Sequence, residues 1–184
     1  MKPSEIYPAA LLIAIMLSAC AHTGESAYAG QEARDIKALS AQEVQDLTAG
    51  KGMGLAKAAE LNGYPGPSHV LELAGELHLT AQQRERTQVL FESMQAKASA
   101  LGKTLIDAER ELDTMFATRR ATTEALAAQL ETLGKLQARV RGAHLEAHLV
   151  QAQILSPEQV AQYVTLRGYS SAHPSGPQTG PHKH

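Results

Sequence analysis

Two histidines one helical turn apart are the residues of this chain best suited to chemistry, and the chemistry they suit is metal binding. His144 and His148 frame the segment HLEAH. Side chains four residues apart on an α-helix share one face at about 5–6 Å, which is close enough to ligate one ion. The order differs from the HExxH segment of zinc proteases, because Glu146 points about 200° away from His144 around the helix. The pair therefore predicts a site for a divalent transition metal (Zn, Cu, Ni or Co) and argues against a metalloprotease.

A metal held by this pair needs further ligands, and the helix expected to lie opposite offers two. Folding the predicted hairpin about its turn places Glu92 opposite His148. We expect Glu92 to be the third ligand and Met94 to be a softer fourth one. In the alternative interpretation, His144 and His148 flank an apolar seam as half-exposed polar residues and hold no ion.

The elements that must position these side chains are two long helices. Apolar residues recur alternately three and four positions apart at Phe91, Met94, Ala98, Leu101, Leu105, Ala108, Leu112 and Met115. This period predicts an amphipathic helix from Thr80 to about Thr118, with Gly102 as its one weak point. Apolar residues have a similar spacing after the segment TRRATT, at Leu126, Leu133, Leu136, Val140, Ala143, Ala147, Val150 and Ile154. Because the connection is short, an antiparallel helical hairpin and an all-α fold are predicted.

Short helices are predicted before the hairpin. Ser40 and Glu43 have the spacing of a capping box, and Gly50 is a natural stop for the helix that they begin. Two further short helices are expected over residues 55–61 and 68–77, on either side of the stiff turn GYPGP.

One phrase, Leu-[Ser/Thr]-x-x-Gln, occurs twice. The first copy contains Leu79, Thr80 and Gln83, and the second contains Leu155, Ser156 and Gln159. In each copy the hydroxyl residue is predicted to cap a helix, and the glutamine is predicted to reach back to the backbone of the cap residue. Each leucine is placed for a hydrophobic staple, but the partner positions hold Arg84 and Val160, so only the second copy has an apolar partner. The second copy predicts a final short helix that reaches about Arg167.

The N-terminus indicates export. Residues 1–19 have the charged start and short apolar run of a signal peptide, a run too short to span a bilayer. Their ending, LSAC, resembles the bacterial lipobox, which implies cleavage before Cys20, a lipid on its sulfur and a place in the cell envelope on the periplasmic face of the outer membrane. The alternative is an ordinary secretory signal. We expect residues 20–38 to be a tether, residues 39–169 to be the helical domain, and residues 170–184 to be a disordered tail.

Composition argues against several functions. The formal net charge is −2, which is no basic footprint for nucleic acid. Cys20 is the only cysteine, and lipidation would leave the chain without a thiolate. The sequence has no Ser/His/Asp arrangement and no glycine-rich phosphate loop, so the chain is predicted not to be an enzyme.

The lipoprotein signal, the two Leu-[Ser/Thr]-x-x-Gln copies and the long helices between them resemble the LTxxQ family of bacterial envelope proteins, Spy and CpxP. They also resemble the related heavy-metal-resistance group that includes the zinc-resistance-associated protein and the sensor subunit CnrX. The resemblance covers roughly residues 70–169. It implies a helical hairpin that dimerises into a curved cradle. It further implies a non-enzymatic role as a periplasmic metal sensor or stress-response protein, as an ATP-independent chaperone for unfolded clients, or as a CpxP-like regulator of a membrane sensor.

A second apolar stripe on the second long helix indicates an interaction surface. Leu145 and Leu149 lie opposite the seam residues Val140 and Ala147, where a bare hairpin would leave them in water. We expect the stripe to be covered by the N-terminal helices, a second subunit or an unfolded client.

Overall fold

The computed structural model of the protein describes residues 26–169. Residues 26–32 form turns and belong to a unit of their own, while residues 33–169 form one helical unit. The described part of the chain contains six helices and no strand: α1 (Ala41–Thr48), α2 (Lys57–Glu60), α3 (Pro67–Glu72), α4 (Ala81–Ala117), α5 (Thr123–Ile154) and α6 (Pro157–Leu166). The predicted all-α class is confirmed. The search for membrane spans, which covered these residues only, found no helix long and apolar enough to cross a bilayer. The predicted signal peptide, Cys20 and the predicted tail lie outside the described residues.

The hairpin of α4 and α5 has the predicted boundaries. Thr80 caps the N-terminus of α4 and Thr118 ends it. With 37 residues, α4 is about 55 Å long. The chain then reverses in a tight turn in which Arg119 adopts a left-handed φ of 55°. Thr122 starts α5 by accepting a hydrogen bond from the Ala125 N–H.

Four cross-helix hydrogen bonds define the register of the antiparallel pair. They join Gln129 Nε2 to the Ala108 carbonyl at 2.7 Å, Lys97 Nζ to Glu146 Oε2 at 2.6 Å, Gln151 Nε2 to Thr87 Oγ1 at 3.2 Å, and Gln83 Nε2 to the Ile154 carbonyl at 3.0 Å. The bonds are spread along the length of the pair, so α4 and α5 stay in contact from the turn to the opposite end.

An aliphatic seam fills the half of the hairpin nearer the turn. Its buried members from the two helices are Ala98, Leu101, Leu105, Ile106, Ala108, Leu133, Leu136, Val140 and Ala143. All but Ile106 belong to the predicted three-and-four pattern. The pattern was therefore a correct guide to this part of the core. Ile36 and Leu47, from the segment before the hairpin, complete the cluster.

Two glycines allow α1 to lie directly on α4. A Cβ added to Gly102 would overlap the backbone carbonyl of Leu47, and one added to Gly50 would lie 2.5 Å from the Gln95 carbonyl oxygen. Gly50 also has a left-handed φ of 66°, as the predicted helix stop requires. Gly102 was predicted to be a weak point of α4, but the structure makes it a contact surface where only a hydrogen fits.

The two copies of the repeated phrase meet at the open end of the hairpin. Each glutamine accepts a bond from its own cap residue through Oε1, which confirms both capping boxes. Gln83 Nε2 also donates to Gln159 Oε1 at 2.7 Å, and Gln159 Nε2 donates to Gln83 Oε1 at 3.1 Å. Leu79 and Leu155 pack in one apolar cluster with Tyr163. The phrase therefore caps two helices and also joins them.

Two of the predicted short helices are shorter than expected. α2 covers only Lys57–Glu60, because Gly54 precedes it with a positive φ and its N-terminus lacks a side-chain cap. α3 ends at Glu72 and is followed by turns up to Leu77. Gly75 lies in that stretch, and glycine is a poor helix former. α1 and α6 match their predicted spans, and Gly63 ends α2 as expected, with a φ of 80°.

Candidate metal centre

The predicted histidine pair lines a cavity of about 490 Å³. α4 and α5 form one side of this cavity, and the glycine-rich turn over residues 50–54, α2 and the start of α3 form the other. The lining residues that matter most for chemistry are Glu60, Gly66, Phe91, Met94, His144 and His148. The histidine face of α5 is therefore covered by the chain's own N-terminal segments.

His144 presents a ring nitrogen that no other group satisfies. The residue is 3% exposed, and its Nε2 has no hydrogen-bond partner within residues 26–169. Burial, followed by the nearby His148, lowers the pKa of the imidazole below its ordinary value. His144 is therefore neutral at pH 7, which is the form that ligates metals.

The ring of His148 is held by its Nδ1, as in many metal sites. The residue is 8% exposed, and its Nδ1 lies 2.8 Å from the Tyr64 carbonyl oxygen. Because a carbonyl only accepts hydrogen bonds, Nδ1 carries a proton, and Nε2 is the nitrogen left to ligate an ion. Metal-binding histidines commonly donate their second ring nitrogen in this way, which fixes the orientation of the ring.

The segment that orients His148 is the rigid turn GYPGP. Pro65, Gly66 and Pro67 are all buried, and the two prolines restrict the backbone. A Cβ on Gly66 would lie 2.9 Å from His148 Cε1 and 3.1 Å from Nε2, so a side chain there would displace the ring. The Gly66 N–H donates to the Tyr163 hydroxyl at 3.4 Å, which ties the turn to α6.

Glu60 is a buried carboxylate that the sequence did not reveal. Its Oε1 accepts hydrogen bonds from the Tyr163 hydroxyl at 2.6 Å, the Tyr169 hydroxyl at 3.1 Å and Arg167 Nε at 3.2 Å. Burial and then the Glu60 hydrogen bond raise the pKa of Tyr163, which stays a protonated donor. Glu60 Oε2 is buried without a hydrogen-bond partner in the described region and lies 3.7 Å from His148 Nδ1. The network joins the cavity to α6.

The structure does not bring Glu92 to the histidines. The Glu92 side chain is exposed and accepts a hydrogen bond from Gln88 Nε2 at 2.7 Å. The predicted alignment of α4 against α5 was nearly right, since Phe91 and Met94 line the cavity. Glu92, however, is turned about 100° around the helix from Phe91 and points away from the cavity. Within residues 26–169 no group of three or more His, Cys, Asp and Glu side chains is arranged to hold a metal. The alternative interpretation placed both histidines half-exposed, and on this point it is wrong, because both residues are buried.

Two further histidines are not part of the pair. His69 lines the same cavity, and its Nδ1 pairs with Glu72 Oε2 at 2.9 Å, a contact that lowers the pKa of Glu72. His78 occupies an exposed turn with a φ of 49°. Leu149 is 52% exposed, as predicted, whereas Leu145 is half-buried.

The candidate centre thus combines two imidazoles, a thioether and a carboxylate around one cavity. All four groups are ligands that transition metals accept, and imidazole and thioether are the softer ones. Comparisons of the chain with protein-family models, with curated proteins and with solved structures found no match.

Proposed function

We propose that the protein is a non-enzymatic envelope lipoprotein of the Spy/CpxP and heavy-metal-resistance type that binds a transition-metal ion through His144 and His148. The observation that carries the proposal is the orientation of the two rings. One has a buried Nε2 with no partner among the described residues, and the other has its Nδ1 anchored on a backbone carbonyl. The envelope placement rests on the lipobox-like residues before Cys20 and on the two copies of the Leu-[Ser/Thr]-x-x-Gln sequence.

The energetics of burial support a bound ion. A buried polar atom without a partner destabilises a folded protein by about 1–3 kcal/mol. His144 Nε2 carries that penalty in the folded chain as described. An ion bound at Nε2 would remove it, and because the ring is neutral, binding would release no proton from it. Metal binding is therefore expected to stabilise the fold as well as fill the site.

The test compares metal binding by the full-length protein and two variants. His144→Ala/His148→Ala removes the pair, and His78→Ala removes an exposed histidine that does not line the cavity. Calorimetry with Zn, Cu, Ni and Co should show one site in the native chain and in the second variant, and no such site in the first. Equal affinities in all three proteins would refute the proposal. Circular dichroism of each variant checks that the helical fold is intact.

Chaperone activity is a second candidate, favoured by an apolar stripe on α5. Leu149 is 52% exposed and lies one turn from the half-buried Leu145, and exposed apolar surface of this kind can bind unfolded clients. Leu149→Gln should reduce the suppression of client aggregation. Leu130→Gln is the matched control, since Leu130 is equally exposed on the same helix. Failure of the native protein to suppress aggregation would exclude this role.

The proposal also includes an assembly. We propose that two copies dimerise and that the protein responds to metal by contacting a membrane sensor, as the LTxxQ resemblance implies. Sedimentation of the full-length protein with and without metal measures the assembly. A monomer under both conditions would contradict the dimer without affecting the metal site.

A further inference from the structure

We propose that the ion selected by this site is monovalent copper, held by Nε2 of His144, Nε2 of His148 and the thioether sulfur of Met94. This inference rests on the proposed function and narrows it from transition metals in general to one soft monocation.

The first support is the position of Met94. It is half-buried and lines the same cavity as the two histidines. On α4 it lies seven residues after Thr87, which is hydrogen-bonded across to Gln151 of α5. Because both antiparallel helices rise equally per residue, seven residues back along α5 from Gln151 place Met94 level with His144. The thioether is therefore on the helix, at the level and in the cavity where a third ligand is needed.

The second support is the softness of the donors. Thioether sulfur selects Cu(I) over harder ions, and imidazole binds copper well. Structural zinc, by comparison, takes four ligands from thiolate, imidazole and carboxylate groups. The carboxylate predicted for that purpose, Glu92, points away from the cavity and bonds to Gln88. The carboxylate that does line the cavity, Glu60, uses its Oε1 for Tyr163, Tyr169 and Arg167, and its Oε2 lies beside His148 Nδ1, so we assign the third ligand to the thioether.

The third support is the charge balance of the cavity. Imidazole nitrogens and a thioether contribute no negative charge as ligands, and the Glu60 carboxylate is already paired with Arg167. Lys57 also lines the cavity and adds positive charge, whereas the lining residue Lys51 is paired with Asp46. Because the cost of burying an ion grows with the square of its charge, a dication costs about four times as much as a monocation. A neutral buried donor set therefore favours Cu(I).

The experiment titrates the full-length protein with Cu(I) under nitrogen against a coloured Cu(I) chelator, and separately with Zn(II) against a zinc-sensitive dye. The test variant is Met94→Leu, which conserves volume. The matched control is Met115→Leu, a half-buried methionine of the same helix that does not line the cavity. We expect Met94→Leu to weaken Cu(I) binding at least about tenfold and to change Zn(II) binding less than about twofold. Met115→Leu should leave both affinities unchanged.

X-ray absorption at the copper edge provides a readout that a general loss of structure would not give. The native protein and Met115→Leu should show a sulfur scatterer bound to copper, and Met94→Leu should show only nitrogen or oxygen. An unchanged Cu(I) affinity in Met94→Leu, or an equal loss of Cu(I) and Zn(II), would overturn the copper assignment. If His144→Ala/His148→Ala retains native affinity for every metal, the proposed function itself fails, so the two failures are distinguishable.

Discussion

The two ends of the α4/α5 hairpin are built from different chemistry. Near the turn, the helices meet through aliphatic side chains such as Leu101, Leu105, Leu133 and Leu136, and this seam is closed by α1. Near the open end, the facing residues are polar: Thr87 and Gln151 are fully buried, and the histidine pair lies one turn further along. The interface between the same two helices therefore changes from aliphatic to polar along its length.

This difference assigns the stability of the hairpin and the proposed metal site to opposite ends of the two helices. The three buried polar atoms without partners among the described residues are Glu60 Oε2, His144 Nε2 and Gln151 Oε1, and each belongs to the polar end or to the segment that covers it. Proteins break the rules of core construction mainly where a function compensates for it. The aliphatic seam is thus the part that holds the hairpin together, and the polar end is the part where we propose that the ion binds.

The largest expected effect comes from the aliphatic seam. Leu105→Ala should lower the free energy of unfolding by about 3 kcal/mol, because it leaves a cavity between α4, α5 and α1. Leu130→Ala, at an exposed position of α5, should change it by less than about 0.5 kcal/mol. Denaturant unfolding followed by circular dichroism measures both values. Similar values for the two variants would mean that the seam is not the stabilising half.

The next effect concerns the contact between α1 and α4. Gly102→Ala should destabilise the protein by about 2 kcal/mol, because the new methyl group meets the Leu47 backbone. Gly134→Ala is the control, since Gly134 lies in α5 with nothing within 4 Å of the added Cβ. That variant should be more stable by about 0.5–1 kcal/mol through helix propensity alone. A stabilising effect at both positions would place α1 elsewhere.

Periodicity predicted the seam because it is a local property of the sequence. The spacing of Leu101, Leu105 and their neighbours fixes which face of each helix is buried, whatever it packs against. Gly102 shows the limit of such local reasoning. Propensity alone marks it as weak, and only the position of Leu47 reveals that its missing side chain is required.

The histidine pair could be found from its spacing, but its surroundings could not. The group that anchors His148 is the Tyr64 carbonyl, 84 residues earlier in the chain. Glu60 is bonded to Tyr163, 103 residues later. Neither distance in sequence leaves a periodic signal, so Glu60 went unpredicted. Glu92 failed for a smaller reason, because a register correct to within one residue still turns a helical side chain by about 100°.

A third prediction addresses how the polar end tolerates buried polar groups. Thr87→Val should destabilise the protein by about 1–3 kcal/mol, because it removes the hydroxyl that accepts a bond from Gln151 Nε2 and leaves the buried amide unpaired. Adding Gln151→Met should recover most of this loss, since both polar partners are then replaced by apolar groups of similar size. Chemical unfolding of the two variants measures the recovery. If the double variant is less stable than Thr87→Val, the amide contributes more than this one bond.

The smallest effect is the energetic coupling between Gln83 and Gln159, the glutamines of the two Leu-[Ser/Thr]-x-x-Gln copies. Gln83→Ala and Gln159→Ala each remove a capping bond and half of the reciprocal amide pair. The double variant should therefore be more stable than the sum of the two single losses predicts, by about 0.5–1 kcal/mol. Gln83→Ala combined with Ser40→Ala, which removes a separate capping box on α1, should be additive within about 0.5 kcal/mol. Additive losses for the glutamine pair as well would reduce the repeated phrase to two independent helix caps, and the polar end would then be held closed by Glu60 and α6 instead.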